Sequence, residues 1–209
     1  MSARPVELFV DPVCPYAWMT SRWLLHAAEV RAVEPTFSVM SLSVLNEGRD
    51  LEKGYRRMLD DSWGPARLAI EISRTEGAAA FARWYTAWGE RYHVGGQHDD
   101  RRAVAVAALD AAGLPAELIE AYAPVPGDAV EEALRASHEG AISRVGEDVG
   151  TPVISFGNGE DSVAYFGPVV SPAPKGEDAG RLLDALETMS SLPGFYELKR
   201  SRTVGPDFR

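Results

Sequence analysis

Cysteine is almost absent from this sequence, since Cys14 is the one cysteine among 209 residues. A single cysteine excludes an internal disulfide and any zinc site built from several cysteines. Any disulfide that the protein forms must therefore join Cys14 to another molecule.

Long apolar runs and an excess of positive charge are also missing. No segment approaches the ~18–20 apolar residues that cross a bilayer, and the first strand begins without the hydrophobic region of a signal peptide. We therefore expect a cytoplasmic protein with no membrane partner. The formal charge of −10 argues against non-specific binding to nucleic acid or anionic lipid.

Cofactor motifs are a third absence. The four histidines have no metal-ligand spacing, and no glycine-rich phosphate loop occurs. We therefore expect no metal, flavin or nucleotide cofactor.

The residues around Cys14 predict a strand, a turn and a helix. Residues 6–10 are mostly apolar, Asp11 and Pro12 are typical of a turn, and Pro15 suits a first helical position. The thiol then lies at a helix N-terminus, where a pKa of about 8.5 can fall to ~3.5–7.5. The alternative is a buried cysteine that only fills space. The strand–Cys–Pro–helix context favours the reactive thiol.

The first third of the chain predicts a parallel βαβ unit. A helix over residues 15–30 carries an apolar stripe that includes Trp23, and alternation predicts a second strand over residues 34–42. A helix between two such strands is typical of a right-handed crossover.

The middle of the chain predicts helices only. An aromatic face recurs at helical spacing in Phe81, Trp84, Tyr85, Trp88 and Tyr92. Such a face could hold a cofactor, but core packing of a helical subdomain is the more common reason for it. We expect a loop at residues 93–98 and a helix at residues 115–122.

The last third predicts two helices and a hairpin. An amphipathic helix follows Asp128. Strands are predicted at residues 153–156 and 163–166 around a hairpin turn at residues 157–161, and a last helix is predicted at residues 177–189. The α/β order predicts a sheet domain of residues 1–45 and 125–192, a helical insertion (lid) of residues 46–124 and a surface tail of residues 193–209. The tail carries a basic cluster of Lys199, Arg200 and Arg202.

This order resembles the DsbA-like thioredoxin superfamily with an all-helical insertion after the second strand, and it closely resembles the actinobacterial mycothiol-dependent nitroreductase group. The resemblance spans nearly the whole chain. It rests on residues 9–23 (FVDPVCPYAWMTSRW), 39–42, 45–50, 137–138, 145–152 (VGEDVGTP), 166–168 and 197–200.

The resemblance implies a catalytic Cys14 facing a cis-proline at Thr151-Pro152, although only about 5–6% of X–Pro bonds are cis in general. It also places Ala17 where two-cysteine relatives carry the resolving cysteine. A mixed disulfide on Cys14 could then be released only by an external thiol, for which the resemblance suggests mycothiol or a similar low-molecular-weight thiol.

The same resemblance implies further residues that bind substrate or thiol. Pro15, Tyr16 and Ala17 belong to the motif, and Asn46 and Tyr55 match positions that line the cleft under the helical lid. Asn46 as a turn residue and Tyr55 as a packing residue are equally good interpretations. Asp11 and His138 could tune the thiol, but a structural role is the better interpretation for each.

Three functions remain open at this stage. The first is a monothiol oxidoreductase that acts on a disulfide or a small electrophile, with nitroaromatic reduction as one activity that the resemblance implies. The second is a transferase or isomerase like the kappa-type glutathione transferases and hydroxychromene carboxylate isomerases. The third is a catalytically quiet small-molecule-binding protein. A monomer or a homodimer is expected.

Overall fold

A computed structural model describes residues 3–157, 159 and 162–209. The strands are β1 (Arg4–Val10), β2 (Val33–Val39), β3 (Val153–Phe156) and β4 (Val163–Phe166). They form one sheet of the order β2-β1-β3-β4 within these residues, with β1 and β2 parallel and the other neighbours antiparallel. The predicted βαβ unit is confirmed. The hairpin turn predicted at residues 157–161 lies partly outside the described residues.

The helices that pack around this sheet are α1 (Pro15–Ala28), α2 (Leu42–Leu45), α3 (Lys53–Asp60), α4 (Trp63–Glu76), α5 (Ala78–Gly89), α6 (Arg101–Ala112), α7 (Ala129–Val145) and α8 (Gly176–Ser190). Every element between β2 and β3 is helical. This is a thioredoxin-like fold with an all-helical insertion after the second strand, as predicted. No described helix is long and apolar enough to cross a membrane.

Two predicted boundaries were wrong. Strand β2 ends at Val39 instead of reaching Leu42, because residues from Leu42 onwards form the short helix α2. Helix α2 begins there because Ser41 Oγ accepts a hydrogen bond from the Val44 N–H at 3.3 Å. Helix α1 ends at Ala28, two residues before the predicted end.

The aromatic face of α5 packs in the core, which confirms that interpretation. All five aromatic side chains are buried. The Trp84 and Trp88 rings stack at 5.5 Å and the Trp88 and Tyr92 rings at 4.8 Å between centroids. Gly89 lets α5 approach α1, since a Cβ at this position would lie 2.2 Å from the Trp18 ring.

The segment after α5 is not a simple loop. Residues Glu90–Val94 continue the helix as a π-helical turn, so the loop predicted from His93 starts later. Residues Ala116–Tyr122, predicted as a helix, form a 3₁₀ helix. The π-helical turn brings His93 inside, where its ring is 5% exposed.

A buried arginine joins the insertion to the start of α7. Arg67 is 1% exposed and donates to the carbonyls of Ala121 and Ala123 at 3.0 and 3.1 Å. Its two terminal nitrogens donate to the carboxylate of Asp128 at 3.0 and 2.6 Å. Asp128 also accepts from the Glu131 N–H at 2.8 Å and so caps α7.

Helix α8 packs against α1. Trp23 is a packing residue at this contact, as predicted. The buried Trp23 ring donates from Nε1 to the Ala179 carbonyl at 3.1 Å. Residues 193–209 form neither helix nor strand, but the carbonyl of Phe195 accepts from the Tyr165 hydroxyl at 3.1 Å, and Phe208 packs against the core.

Candidate active site

Cys14 occupies the N-cap of α1, as the sequence predicts. Its extended backbone turns into a helix that begins with Pro15, and its sulfur accepts a hydrogen bond from the Ala17 N–H at 3.4 Å. The thiol is 7% exposed. The first turn of α1 therefore directs a backbone donor at the sulfur.

The segment before β3 lies against the thiol. The Thr151-Pro152 peptide bond is cis, which confirms that prediction. The Cys14 S–H donates to the Thr151 carbonyl at 3.4 Å. The Thr151 hydroxyl is buried and has no hydrogen-bond partner among the described residues. One side of the sulfur therefore faces the Thr151 backbone and the Thr151 hydroxyl, a donor without a recorded partner.

Burial raises the pKa of the Cys14 thiol, and the negative charge of Asp11 raises it further. The Thr151 hydroxyl and the N–H groups of Ala17 and Tyr16 act in the opposite direction. The expectation of a lowered pKa was therefore wrong in direction. The strand–Cys–Pro–helix pattern shows the donors at the helix start but not the apolar surroundings that penalise the thiolate.

Asp11 holds the turn that precedes Cys14. Its side chain is fully buried and accepts from the Val13 N–H at 2.9 Å and the Leu42 N–H at 2.7 Å. Burial raises the Asp11 pKa to about 6, although both N–H groups lower it. These bonds give Asp11 a structural role, and its charge adds an electrostatic influence on the thiol.

Two side chains of the helical insertion hold the same turn, a contact that no pattern in the sequence indicates. The Pro12 carbonyl accepts from Trp88 Nε1 at 2.8 Å, and His93 Nε2 lies 2.9 Å from it. A carbonyl only accepts, so His93 Nε2 carries the proton. Burial lowers the His93 pKa to about 4, and the ring is therefore neutral near pH 7. Only the π-helical turn brings both rings to one carbonyl.

The other predicted site residues lie at different depths. Tyr16 is half-buried beside the thiol, and the Arg202 guanidinium lies 4.8 Å from its ring centroid. Tyr55 is 39% exposed, and its pKa is raised by burial and by the charges of Asp11 and Cys14, which places its hydroxyl within electrostatic reach of the thiol.

Asn46 and His138 are both buried, but only Asn46 has a recorded side-chain hydrogen bond. Asn46 is buried, and its Nδ2 donates to the Leu42 carbonyl at 2.8 Å, so its amide group caps its own turn. His138 is buried on α7, its pKa is lowered by burial, and its Nδ1 has no partner among the described residues. Neither side chain contacts the sulfur through a hydrogen bond that the structure records.

Ala17 leaves Cys14 without an internal partner. The Ala17 side chain is fully buried in the first turn of α1, where its backbone N–H donates to the sulfur and its methyl group packs in the core.

Among residues 3–157, 159 and 162–209, no group of three or more histidine, cysteine or acidic side chains could hold a metal ion.

The fold, with the thiol beside a cis-proline, is a thioredoxin fold with a helical insertion. The fold is similar to that of oxidoreductase DsbA from Xylella fastidiosa, with a TM-score of 0.53 and 16% identity over 91% of this chain and 87% of that one. It is also similar to cytosolic disulfide reductase DsbM from Pseudomonas aeruginosa, solved with GSH, with a TM-score of 0.54 and 14% identity over 88% and 99% of the chains.

The sequence itself identifies the family. Residues 13–200 match the family model described as Rv2466c-like, mycothiol-dependent nitroreductase Rv2466c. The chain therefore belongs to the Rv2466c-like family, a group of thiol-dependent oxidoreductases. "Uncharacterized protein Rv2286c" from Mycobacterium tuberculosis (strain ATCC 25618 / H37Rv) is 27% identical over 198 residues, which are 95% of this chain and 82% of that protein.

Proposed function

We propose that this protein is a cytoplasmic monothiol oxidoreductase whose Cys14 exchanges disulfides with mycothiol or a similar low-molecular-weight thiol. One observation supports this most directly. The sulfur meets the Ala17 N–H and the Thr151 backbone, each at 3.4 Å, while position 17 supplies no second thiol. Such a site can start an exchange but needs an outside thiol to complete it.

The exchange has two steps. The Cys14 thiolate attacks the mycothiol sulfur of a mixed disulfide, forms its own disulfide with mycothiol and releases the substrate as a thiolate. A second mycothiol thiolate then attacks the mycothiol sulfur on Cys14, mycothiol disulfide forms, and Cys14 leaves as the regenerated thiolate. In total one substrate disulfide is reduced and one further mycothiol is oxidised.

The residues around the sulfur have distinct parts in this scheme. The Ala17 N–H and the Thr151 hydroxyl are donors for the thiolate, and the hydroxyl has no competing partner among the described residues. Pro15 starts the helix that carries the Ala17 donor. We assign substrate contact to Tyr16 and Tyr55. Asn46 holds the start of the insertion, since its carbonyl accepts from Arg56 of α3 at 2.7 Å.

Nitroaromatic reduction is the finer activity that the family name suggests. The first two-electron step converts a nitro group to a nitroso group and water while two mycothiol molecules become one disulfide. The Cys14–mycothiol disulfide is the oxidised enzyme form that the second thiol must reduce. Since Ala17 removes the internal route that would resolve this disulfide, we expect each turnover with a nitro compound, as with a disulfide, to need a further mycothiol.

The test is a turnover assay with mycothiol as the sole reductant. A mycothiol mixed disulfide and a nitroaromatic compound are supplied separately, and product and mycothiol disulfide are counted by mass spectrometry. Stoichiometric formation of both with the native protein, and not with Cys14→Ser, supports the proposal. Absence of mycothiol disulfide in every reaction contradicts it.

One observation favours a second candidate, a transferase or isomerase that uses a bound thiol cofactor. Burial raises the pKa of Cys14, and a thiol that stays protonated can donate to the thiolate of a bound cofactor instead of attacking a disulfide. This candidate predicts tight mycothiol binding by the Cys14→Ser variant, since serine also donates. The oxidoreductase predicts no covalent adduct and no turnover with that variant.

A further inference from the structure

The C-terminal segment, residues 195–209, crosses from the sheet to the helical insertion. At its start the Phe195 ring lies 5.8 Å from that of Tyr165 on β4. At its end the Phe208 ring lies 5.8 Å from His93, the residue that contacts the Pro12 carbonyl. Between these ends, Arg202 lies over Tyr16 in the first turn of α1. The segment therefore passes the candidate active site.

Hydrogen bonds between the Ser171 hydroxyl and the backbone hold the far half of the segment in place. Ser171 Oγ donates to the Gly205 carbonyl at 3.1 Å and accepts from the Asp207 N–H at 3.0 Å. Phe208 is partly buried against the core. Arg202 thus lies between two fixed points, and its position over Tyr16 is not that of a freely moving tail.

The charge on Arg202 is available to a ligand. Among the residues that the structure describes, no carboxylate lies within 4.0 Å of its guanidinium, whereas Arg209 in the same segment pairs with Asp207. Stacking on a tyrosine face leaves the edge of the guanidinium, with its N–H groups, open to a planar anion.

The net charge of the protein disfavours the approach of anions. The whole chain carries a formal charge of −10, and the buried Asp11 is negative when ionised and acts electrostatically on Cys14. Arg101 and Arg49 act electrostatically on Asp11 and Tyr55, and a further positive charge beside the thiol itself favours a negatively charged substrate. Arg202, on the ring two residues after Cys14, is placed to supply it.

We propose that Arg202 is a specificity-determining residue that selects anionic disulfides or electrophiles for reaction at Cys14. The inference rests on the proposed function and adds the charge class of the substrate that is reduced. Arg202 lies beyond residue 200, where the match to the family model ends, so this selection concerns residues outside the matched region.

The test uses three methanethiosulfonates with the same reactive group and different charges: sulfonatoethyl (anionic), trimethylammonioethyl (cationic) and methyl (neutral). With each, the Cys14 thiolate attacks the sulfenyl sulfur, a disulfide forms and methanesulfinate leaves. Because the chain has one cysteine, intact mass reports the rate at Cys14 alone. The measured quantity is the ratio of the anionic to the cationic rate constant.

In Arg202→Gln we expect this ratio to fall by roughly threefold or more while the neutral rate stays constant, because a local charge changes association rates of charged reagents. Arg202→Lys keeps the positive charge, so this variant should retain most of the native ratio. Phe208→Ala, which frees one end of the segment, lowers the ratio in part. The matched control is Arg200→Gln, which removes the same charge two residues earlier and leaves the ratio near that of the native protein.

An unchanged ratio in Arg202→Gln overturns the proposal, and so does an equal fall in Arg202→Gln and Arg200→Gln, which would show a general surface-charge effect. Equal acceleration of all three reagents in Arg202→Gln also overturns it, since Arg202 would then only obstruct the site. If even the neutral reagent leaves native Cys14 unmodified, the proposed function itself fails. Circular dichroism confirms that each variant is folded.

Discussion

His93 Nε2 lies 2.9 Å from the carbonyl oxygen of Pro12, two residues before Cys14. Trp88 Nε1 donates to the same oxygen at 2.8 Å. The helical insertion therefore does more than cover a cleft, because two of its buried side chains fix the turn that presents the thiol. A change in the insertion at this point should be measurable at Cys14.

Replacing His93 with Phe keeps a buried ring but removes one donor from Pro12. We expect a loss of about 1 kcal/mol in the free energy of unfolding, typical of one hydrogen bond. We also expect slower alkylation of Cys14 at saturating pH, which a purely structural role far from the thiol would not produce. His93→Gln, which retains a donor, should recover part of the rate, and His26→Gln at the other end of α1 serves as the control.

Replacing Thr151 with Val removes a buried hydroxyl that has no partner among the described residues. Stability should change by less than about 1 kcal/mol, because no formed hydrogen bond is lost. The thiolate loses a donor, so the Cys14 pKa should rise above its native value. Thr151→Ser, which keeps the hydroxyl, should leave that pKa near the native one. The pH dependence of alkylation gives both values, and equal profiles for Val and Ser would contradict this role.

Replacing Asp11 with Asn removes a carboxyl group whose folded pKa, about 6, lies above the ordinary aspartate value of 3.8. The folded state binds this proton more tightly, so the contribution of Asp11 to stability is present below about pH 4 and is lost as the pH rises through about 6. Across that range the stability of the variant should rise relative to the native protein by about 3 kcal/mol. Urea unfolding at several pH values measures this, and a constant difference would exclude it.

The same variant also tests the influence of Asp11 on the thiol. Loss of the negative charge should lower the Cys14 pKa, since that charge raises it in the native protein. One acceptor bond, to Val13 or Leu42, is weakened in the variant, so a constant loss of stability accompanies the shift at every pH. An unchanged Cys14 pKa would show that the two groups titrate independently.

The two residues of the Arg67–Asp128 pair should differ in how much stability is lost when each is replaced. Arg67 is almost fully buried, so Asp128→Ala leaves a cation without its counter-charge, whereas Arg67→Met leaves a carboxylate that water can reach. We therefore expect the melting temperature to fall further in Asp128→Ala than in Arg67→Met. The Arg67 hydrogen bond lowers the Asp128 pKa to about 2, so native stability from this group is lost only as the pH falls from about 4 towards 2.

The local features of this fold could be predicted from sequence because neighbours along the chain determine them. The strand before Cys14, the helix that Pro15 begins and the aromatic face of α5 all follow from short-range patterns. The resemblance supplied the cis Thr151-Pro152 bond, which no local pattern distinguishes from a trans bond.

What could not be predicted depends on contacts between distant segments. The direction of the Cys14 pKa shift depends on burial by the assembled core. His93 reaches Pro12 only through a π-helical turn, since residues five apart, such as Trp88 and His93, lie on different faces of an α-helix. Arg202 was visible as one member of a basic cluster, but its place over Tyr16 depends on how the C-terminal segment packs.

The central claim is that Cys14 can begin a disulfide exchange and cannot finish it alone. Ala17→Cys provides the matched comparison, since it adds a second thiol in the first turn of α1. Both proteins are incubated with mycothiol disulfide, separated from it, and followed by intact mass with no thiol added. The native protein should keep one mycothiol adduct until free mycothiol is supplied, and Ala17→Cys should release it as an internal disulfide forms. A native protein that gains no adduct, or that loses it unaided, would contradict the account.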